Sequence, residues 1–239
     1  MLFKFKKSKI NLDCFTYLPI SELFPIAPSQ KVLPAWFRSL PPHVSTNNPK
    51  FPTLQQNTMK GCAGINDYFK NSITITNWIE HRFSVQPDRS IHFMGLREDL
   101  EYDSHPKHIQ MGNAMPDCVH IKIPSPWQFK EKTGVNWAWI QSSWHMDDPC
   151  EYSIPPGIVN YQEQHTTNVN ALIPCHSTSK EIVIPAGQPL VQLVPMSDKD
   201  VDIHMHQVTY EEWVSYKTYS HSSVHNFLKT RKILKSNKG

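Results

Sequence analysis

Residues 157–196 read GIVNYQEQHTTNVNALIPCHSTSKEIVIPAGQPLVQLVPM, and this stretch decides the fold. It holds short apolar runs at 157–162, 166–174, 180–186 and 188–196, at spacings near ten residues. The runs are rich in Ile, Val and Leu and are separated by Pro, Gly, Ser and amide residues. Short strands at such even spacing are the pattern of a sandwich or barrel. Pro185-Ala186-Gly187-Gln188 divides the last two runs, and Gly187 can take the positive φ that a tight turn requires.

The same pattern extends upstream. Residues 135–144, VNWAWIQSSW, predict a strongly apolar strand, and CVHIKIPSPWQF (118–129) a strand that ends at Pro124. Residues 72–95 predict a β-hairpin about Pro87-Asp88-Arg89-Ser90, which is good turn chemistry. GCAGINDYFK (61–70) predicts a short helix, and polar residues 97–118 a loop. Residues 11–57 lack periodicity, and LPAWFRSLPP breaks any helix within a few residues. That region reads as an ordered loop wrapping the core, anchored by Trp36 and Phe37. The N-terminal MLFKFKKSKINLD alternates Phe with Lys, as an edge strand or a basic arm does. Downstream, Thr209-Tyr-Glu-Glu212 fits a capping box. Val224, Phe227, Leu228, Arg231 and Leu234 then keep helical spacing, with an apolar stripe suited to docking on the chain's own core.

Composition agrees. Twenty prolines against eight glycines in 239 residues favour strand ends, edges and turns over a helical bundle. Apolar content of 39% and charged content of 19% describe a folded chain. No run of eighteen apolar residues occurs, so no membrane span is expected, and the basic N-terminus lacks the apolar stretch of a secretion signal. Cys14, Cys62, Cys118, Cys150 and Cys175 are odd in number and widely spaced, with no Cys-x-x-Cys. They predict reduced, buried thiols rather than a disulfide framework or zinc ribbon. We therefore expect a mainly β fold, a sandwich or jelly-roll-like domain at 61–200. An N-terminal arm and Pro-rich wrapping loop would precede it at 1–60, and a helical, basic C-terminal extension would follow at 201–239.

The net charge of +3 is unevenly placed. Residues 1–10 carry four lysines and 229–239 carry Lys229, Arg231, Lys232, Lys235 and Lys238, with no acid in either segment. With those nine set aside, 15 bases face 21 acids. Basic ends on an acidic body suit an acidic partner or nucleic acid, and they are equally what solvated chain ends look like.

Thirteen histidines raise the question of chemistry. His145-Met146-Asp147 follows an apolar strand, where a jelly-roll oxygenase places the first two ligands of a facial iron triad. His204 and His206 lie about sixty residues on and would share one face of an extended segment. Lys217, or Arg231 further on, could then receive a cosubstrate carboxylate such as that of 2-oxoglutarate. The competing reading, which we favour, is that Asp147-Asp148-Pro149 is a turn and that no iron or other cofactor is bound. A set from His165, Cys175 and His176 matches no tetrahedral spacing. No Gly-x-Ser-x-Gly, phosphate loop or dinucleotide fingerprint occurs. The segment IVIPAGQPLVQLVP is similar to the turn and strand of the deoxyuridine-triphosphatase β-fold, which makes a nucleotide hydrolase a further alternative. The serine- and glycine-rich nucleotide motifs of those enzymes are missing.

LPAWFRSLP, TMKGCAGINDYF, ITNWIEHRF, SHPKHIQ, PSPWQF, PPGIVNYQ and IPAGQPLVQLVPM, in this order, resemble a family of uncharacterised proteins of tailed phages. Many of these phages are T4-like and marine, and the family has more distant bacterial relatives. The resemblance spans about residues 34–196. It implies a viral protein, made in the host cytoplasm, that acts through contacts with other phage or virion proteins or with copies of itself; it carries no activity. Where relatives tend to read Pro-Gly-Ile-Val-Asp-Thr-Asp, this chain has Asn160-Tyr161-Gln162 after Val159. Any role of those carboxylates in relatives would be absent here. An iron-dependent oxygenase built on His145, Asp147 and His206 is the runner-up.

Overall fold

A computed structural model describes residues 9–45, 50, 55–94, 111, 114–146 and 151–217. In chain order the elements begin with β1 (Ile10–Thr16), β2 (Ala27–Pro28), α1 (Ala35–Ser39), β3 (His43–Ser45) and β4 (Gln55–Asn57). Next come α2 (Ala63–Asn71), β5 (Ile73–Thr76), β6 (His81–Val85), β7 (Ile91–Met94), β8 (Cys118–Lys130) and β9 (Asn136–Gln141). The last are β10 (Gly157–Asn160), β11 (Thr166–Pro174), β12 (Lys180–Ile184), β13 (Pro189–Pro195), β14 (Val201–Gln207) and α3 (Tyr210–Lys217). The fold is mainly β and sandwich-like, as expected.

The runs of 157–196 all form strands, but each lies in a different sheet from the one before it. The four-stranded sheet runs β11-β8-β1-β14, the five-stranded sheet β10-β9-β13-β5-β2, and a three-stranded sheet β12-β6-β7. A chain that changes sheet at every turn cannot slip into a simple meander. All three sheets feed one core, with Leu12, Ile121, Phe129, Trp137, Phe83, Ile182 and Leu193 fully or almost fully enclosed. Removal of that apolar surface from water is the main stabilising term.

Two sheet changes are tied together at one residue. The Asn77 N–H donates to Gln188 O (2.7 Å) and its carbonyl accepts from Gly187 N (2.7 Å). Its Nδ2 donates to Ile184 O (2.8 Å) and Pro185 O (2.9 Å). Gly187 has φ +82°, the conformation anticipated for this turn. The expected hairpin at 72–95 is therefore only half formed. β6 and β7 pair about the Pro87–Ser90 turn, where the Asp88 carboxylate accepts from Ser90 N and Oγ. β5, however, crosses to the five-stranded sheet.

Three other expectations change. The N-terminal strand is interior: β1 pairs antiparallel with β8 and parallel with β14, so chain start and residues 201–207 lie side by side. Residues 201–207, grouped by sequence with the helices, are a strand, because Val201, Ile203 and Met205 alternate with Asp202, His204 and His206. β8 does not end at Pro124. Only its residues 128–130 bond to β1, so along Pro124 and Pro126 that flank needs no N–H donor. Cys14 is buried as expected, but Cys62 is exposed; neither is in a disulfide. The loop of 97–118 lies largely outside the described residues, and the helical repeat of 224–234 entirely so.

Candidate functional site

The Pro-rich segment and α2 together form the site. Pro34 opens α1 with a pre-set φ, and Pro41-Pro42 forbid its continuation, so the helix lasts five residues. Just before it, Ser29 is buried, with its N–H on Ser72 O (2.9 Å) and its Oγ 2.7 Å from Thr74 Oγ1. Phe37 turns inward against Phe69 of α2, ring centres 5.2 Å apart. Between these elements lies a cleft of about 370 Å³, lined by Gln30, Leu33, Phe37, Asn66, Asp67, Phe69 and Lys70.

A clasp holds the wrap in place. The short 3-10 turn Ser143–His145 follows β9. There the His145 Nε2 donates to Val32 O at 2.6 Å, and the Trp36 Nε1 donates to Trp144 O at 2.9 Å. The bond to a carbonyl fixes the Nε2–H tautomer and leaves Nδ1 bare, without a partner among the described residues. Burial pushes the imidazole pKa below its ordinary value, against a smaller opposing effect of the Val32 bond. The ring packs edge-on to Phe69 at 6.2 Å. On α2, the Tyr68 hydroxyl bonds to Gln192 Oε1, and burial raises its pKa to about 12. It therefore stays protonated at neutral pH and is a poor proton acceptor.

His145 and His206, the two described residues of the expected iron triad, do not share neighbours. His145 engages the wrap. His206 lies on β14, its Nδ1 3.1 Å from Asp13 Oδ1 and its ring stacked on Phe15 at 5.9 Å. His204 stands opposite Asp13 in the ladder, and Lys217 is the last residue of α3. Asp147 lies outside the described residues, so the triad as a whole is not on view. Among the described residues no three His, Cys, Asp or Glu side chains gather. His165 precedes β11 while Cys175 and His176 follow it. Nine extended residues hold them roughly 30 Å apart. His165 instead lies with Nδ1 2.9 Å from Phe129 O. Lys229, Arg231, Lys232, Lys235 and Lys238 lie outside the described residues.

The cleft's own lining includes exposed Gln30, Asn66, Asp67 and Lys70, and the segments beside it expose large apolar side chains as well. Trp36 is 40% exposed, Val44 43% and Met59 42%. Residues 36–44 and 55–61 are joined by the Thr58 Oγ1 bond to Pro41 O (2.6 Å), the Thr58 N–H bond to Pro42 O (3.0 Å) and the Lys60 Nζ bond to Arg38 O (2.9 Å). From this base β3 and β4 rise as a two-stranded ribbon with every residue exposed. Sequence reasoning found Trp36 and Phe37 but assigned both an anchoring role. Phe37 is an anchor, and Trp36 is half in solvent.

No family model and no curated protein matches the chain. No helix among the described residues is long and apolar enough to cross a membrane.

Proposed function

We propose that this is a binding or structural protein that acts through protein contacts rather than by catalysis. One observation carries the reading. Near the cleft His145, Tyr68, Asn66 and Lys60 are engaged in bonds that hold the scaffold together, while Trp36, Val44 and Met59 stand exposed on and below the β3–β4 ribbon. An exposed tryptophan with aliphatic neighbours is the usual chemistry of an interface centre. The resemblance to tailed-phage proteins makes other virion proteins, or further copies of this chain, the partners. The infected host's cytoplasm is then the place of synthesis and the particle the destination. The basic ends supply a second, electrostatic contact to an acidic partner.

The test is co-purification of the full chain with phage proteins. The expected result is one or more virion proteins at fixed stoichiometry, lost in the Val44→Ser, Met59→Ser double variant while the melting temperature is kept. Protein that carries one equivalent of iron, lost in both His145→Ala and Asp147→Ala, would overturn the reading in favour of an oxygenase.

A further inference from the structure

A second cavity opens at the seam between the two large sheets. β10 is the last strand of the five-stranded sheet and β11 the last of the four-stranded sheet. Between them lies a space of about 210 Å³. Its apolar walls are Trp139, Pro156 and Ile158, and its polar walls are the side chains of Gln164, Asn168 and Asn170. No charged side chain lines it.

The edge of β11 at this seam is closed at both ends. At one end Leu172 exchanges both backbone bonds with Ser153, each 2.8 Å. At the other, Gln164 Nε2 donates to Thr166 O at 2.8 Å. Alternate residues of an antiparallel strand turn their N–H and C=O to the same edge. Asn168 and Asn170 therefore turn theirs toward the seam, where no described strand pairs with them. Two residues are too few to template an added strand. They do form a short, dense row of neutral donors and acceptors, two peptide units and three carboxamides.

One buried group adds to this row, and a second orients a member of it. Trp139 is 4% exposed, yet its indole N–H has no partner among the described residues. His120, also buried, has Nε2 3.1 Å from Asn170 Oδ1, which leaves the Asn170 Nδ2 to donate elsewhere. An unpaired buried donor such as the Trp139 indole, in a residue that lines a cavity, marks a place for a polar occupant.

We propose that this seam binds one neutral sugar ring, a hexose or the terminal residue of a glycan. The volume equals the share of roughly seven water molecules, which suits one ring and no more. Vicinal hydroxyls both donate and accept, as carboxamides do. Pro156 and Ile158 offer aliphatic contact to the C–H face of the ring. A nucleobase would want an exposed aromatic face, and an acidic sugar or phosphate a cation; the seam has neither.

The experiment follows the indole N–H signals of the full chain by NMR, with Trp139 assigned through Trp139→Phe. Glucose, galactose, mannose and N-acetylglucosamine are titrated separately, then adenosine, cytidine and a neutral tetrapeptide. At least one hexose should move the Trp139 signal saturably, with Kd on the order of 1 mM as befits so small a ligand. Asn168→Ala and Asn170→Ala should each weaken that binding about tenfold, the scale of one or two lost hydrogen bonds. Asn170→Ala also strips His120 of a partner; if it fails to fold, half-exposed Asn168→Ala and Asn168→Asp carry the test. The proposal is overturned if no hexose moves the signal, if the variants bind as tightly as the parent, or if only the nucleosides or the peptide shift it.

Discussion

Buried His81 shows what burial does to a single residue. Its pKa falls from 6.5 to about 4, the cause being desolvation of the charged form. The unfolded chain therefore takes up a proton that the folded chain refuses between those two values. Stability is full above pH 6.5 and declines as the pH drops toward 4, by about 3 kcal/mol if the whole shift is realised. His81→Phe should flatten the slope of denaturation midpoint against pH between 6.5 and 5, before carboxylates join the titration. An unchanged slope would assign acid sensitivity elsewhere. His145 acts in the same direction, since its pKa too is lowered by burial. The Val32 bond gives His145 a structural role: His145→Ala should cost about 1–2 kcal/mol, one bond plus an orphaned carbonyl. Glu131 is the clearest residue that sequence reasoning missed. It is buried and accepts from the amides of Thr133, Gly134 and Val135. Gly134 there has φ +73°, and a Cβ on it would meet Gln162 Oε1 at 2.9 Å. Glu131→Ala should cost about 3 kcal/mol in urea unfolding, because several charge-assisted bonds go at once.

Among the elements, α3 gives the sharpest expectation. Its predicted cap is present: Thr209 Oγ1 accepts from Glu212 N at 3.1 Å. Trp213 then buries its ring beside Tyr17, donates Nε1 to Pro126 O (2.9 Å) and offers its carbonyl to Gln128 Nε2 (2.9 Å). The helix therefore covers the flank of β8 where the prolines interrupt the ladder. Trp213→Ala should cost about 3–5 kcal/mol by thermal or chemical unfolding. A cost below about 1 kcal/mol would show the helix to be an ornament. Strands with an apolar run, such as β9, β11 and β13, were legible because the signal is local. β14 was hidden because its outward face carries Asp202, His204 and His206 and its inward face is short. The half-formed hairpin at 72–95 was misjudged for a related reason. Strand propensity says that a segment is extended and never which sheet it joins.

For the whole molecule, the pairing of β1 with β14 closes the domain, since residues about 190 positions apart become neighbours. The Lys9 Nζ lies 2.8 Å from Asp202 Oδ1, so one N-terminal lysine is spent on this seam. That pair is half exposed and adds little by itself. If the basic residues of 229–239, which lie outside the described residues, meet an acidic partner, trimming them should lower retention on a polyanion matrix and flatten its dependence on salt. Equal retention across a salt series would leave the tail as solvated surface. The two proposed contacts, the apolar patch about the β3–β4 ribbon and the sugar seam, lie on different elements and are separable by Met59→Ser and Asn168→Ala.

By itself the sequence determined that the chain is mainly β, where most strands lie, that α2 and α3 exist, and that the turns at 87–90 and 185–188 form. These rest on local chemistry: period-two apolarity, proline and glycine geometry, and a capping side chain. The distribution of strands among sheets, the interior place of β1, the clasp of His145 and Trp144 on the wrap, and the seam between β10 and β11 were decided only by the tertiary structure. All but the last join residues far apart in the chain, through bonds to backbone carbonyls and packing that any sequence can supply. No residue type announces in advance which carbonyl it will meet.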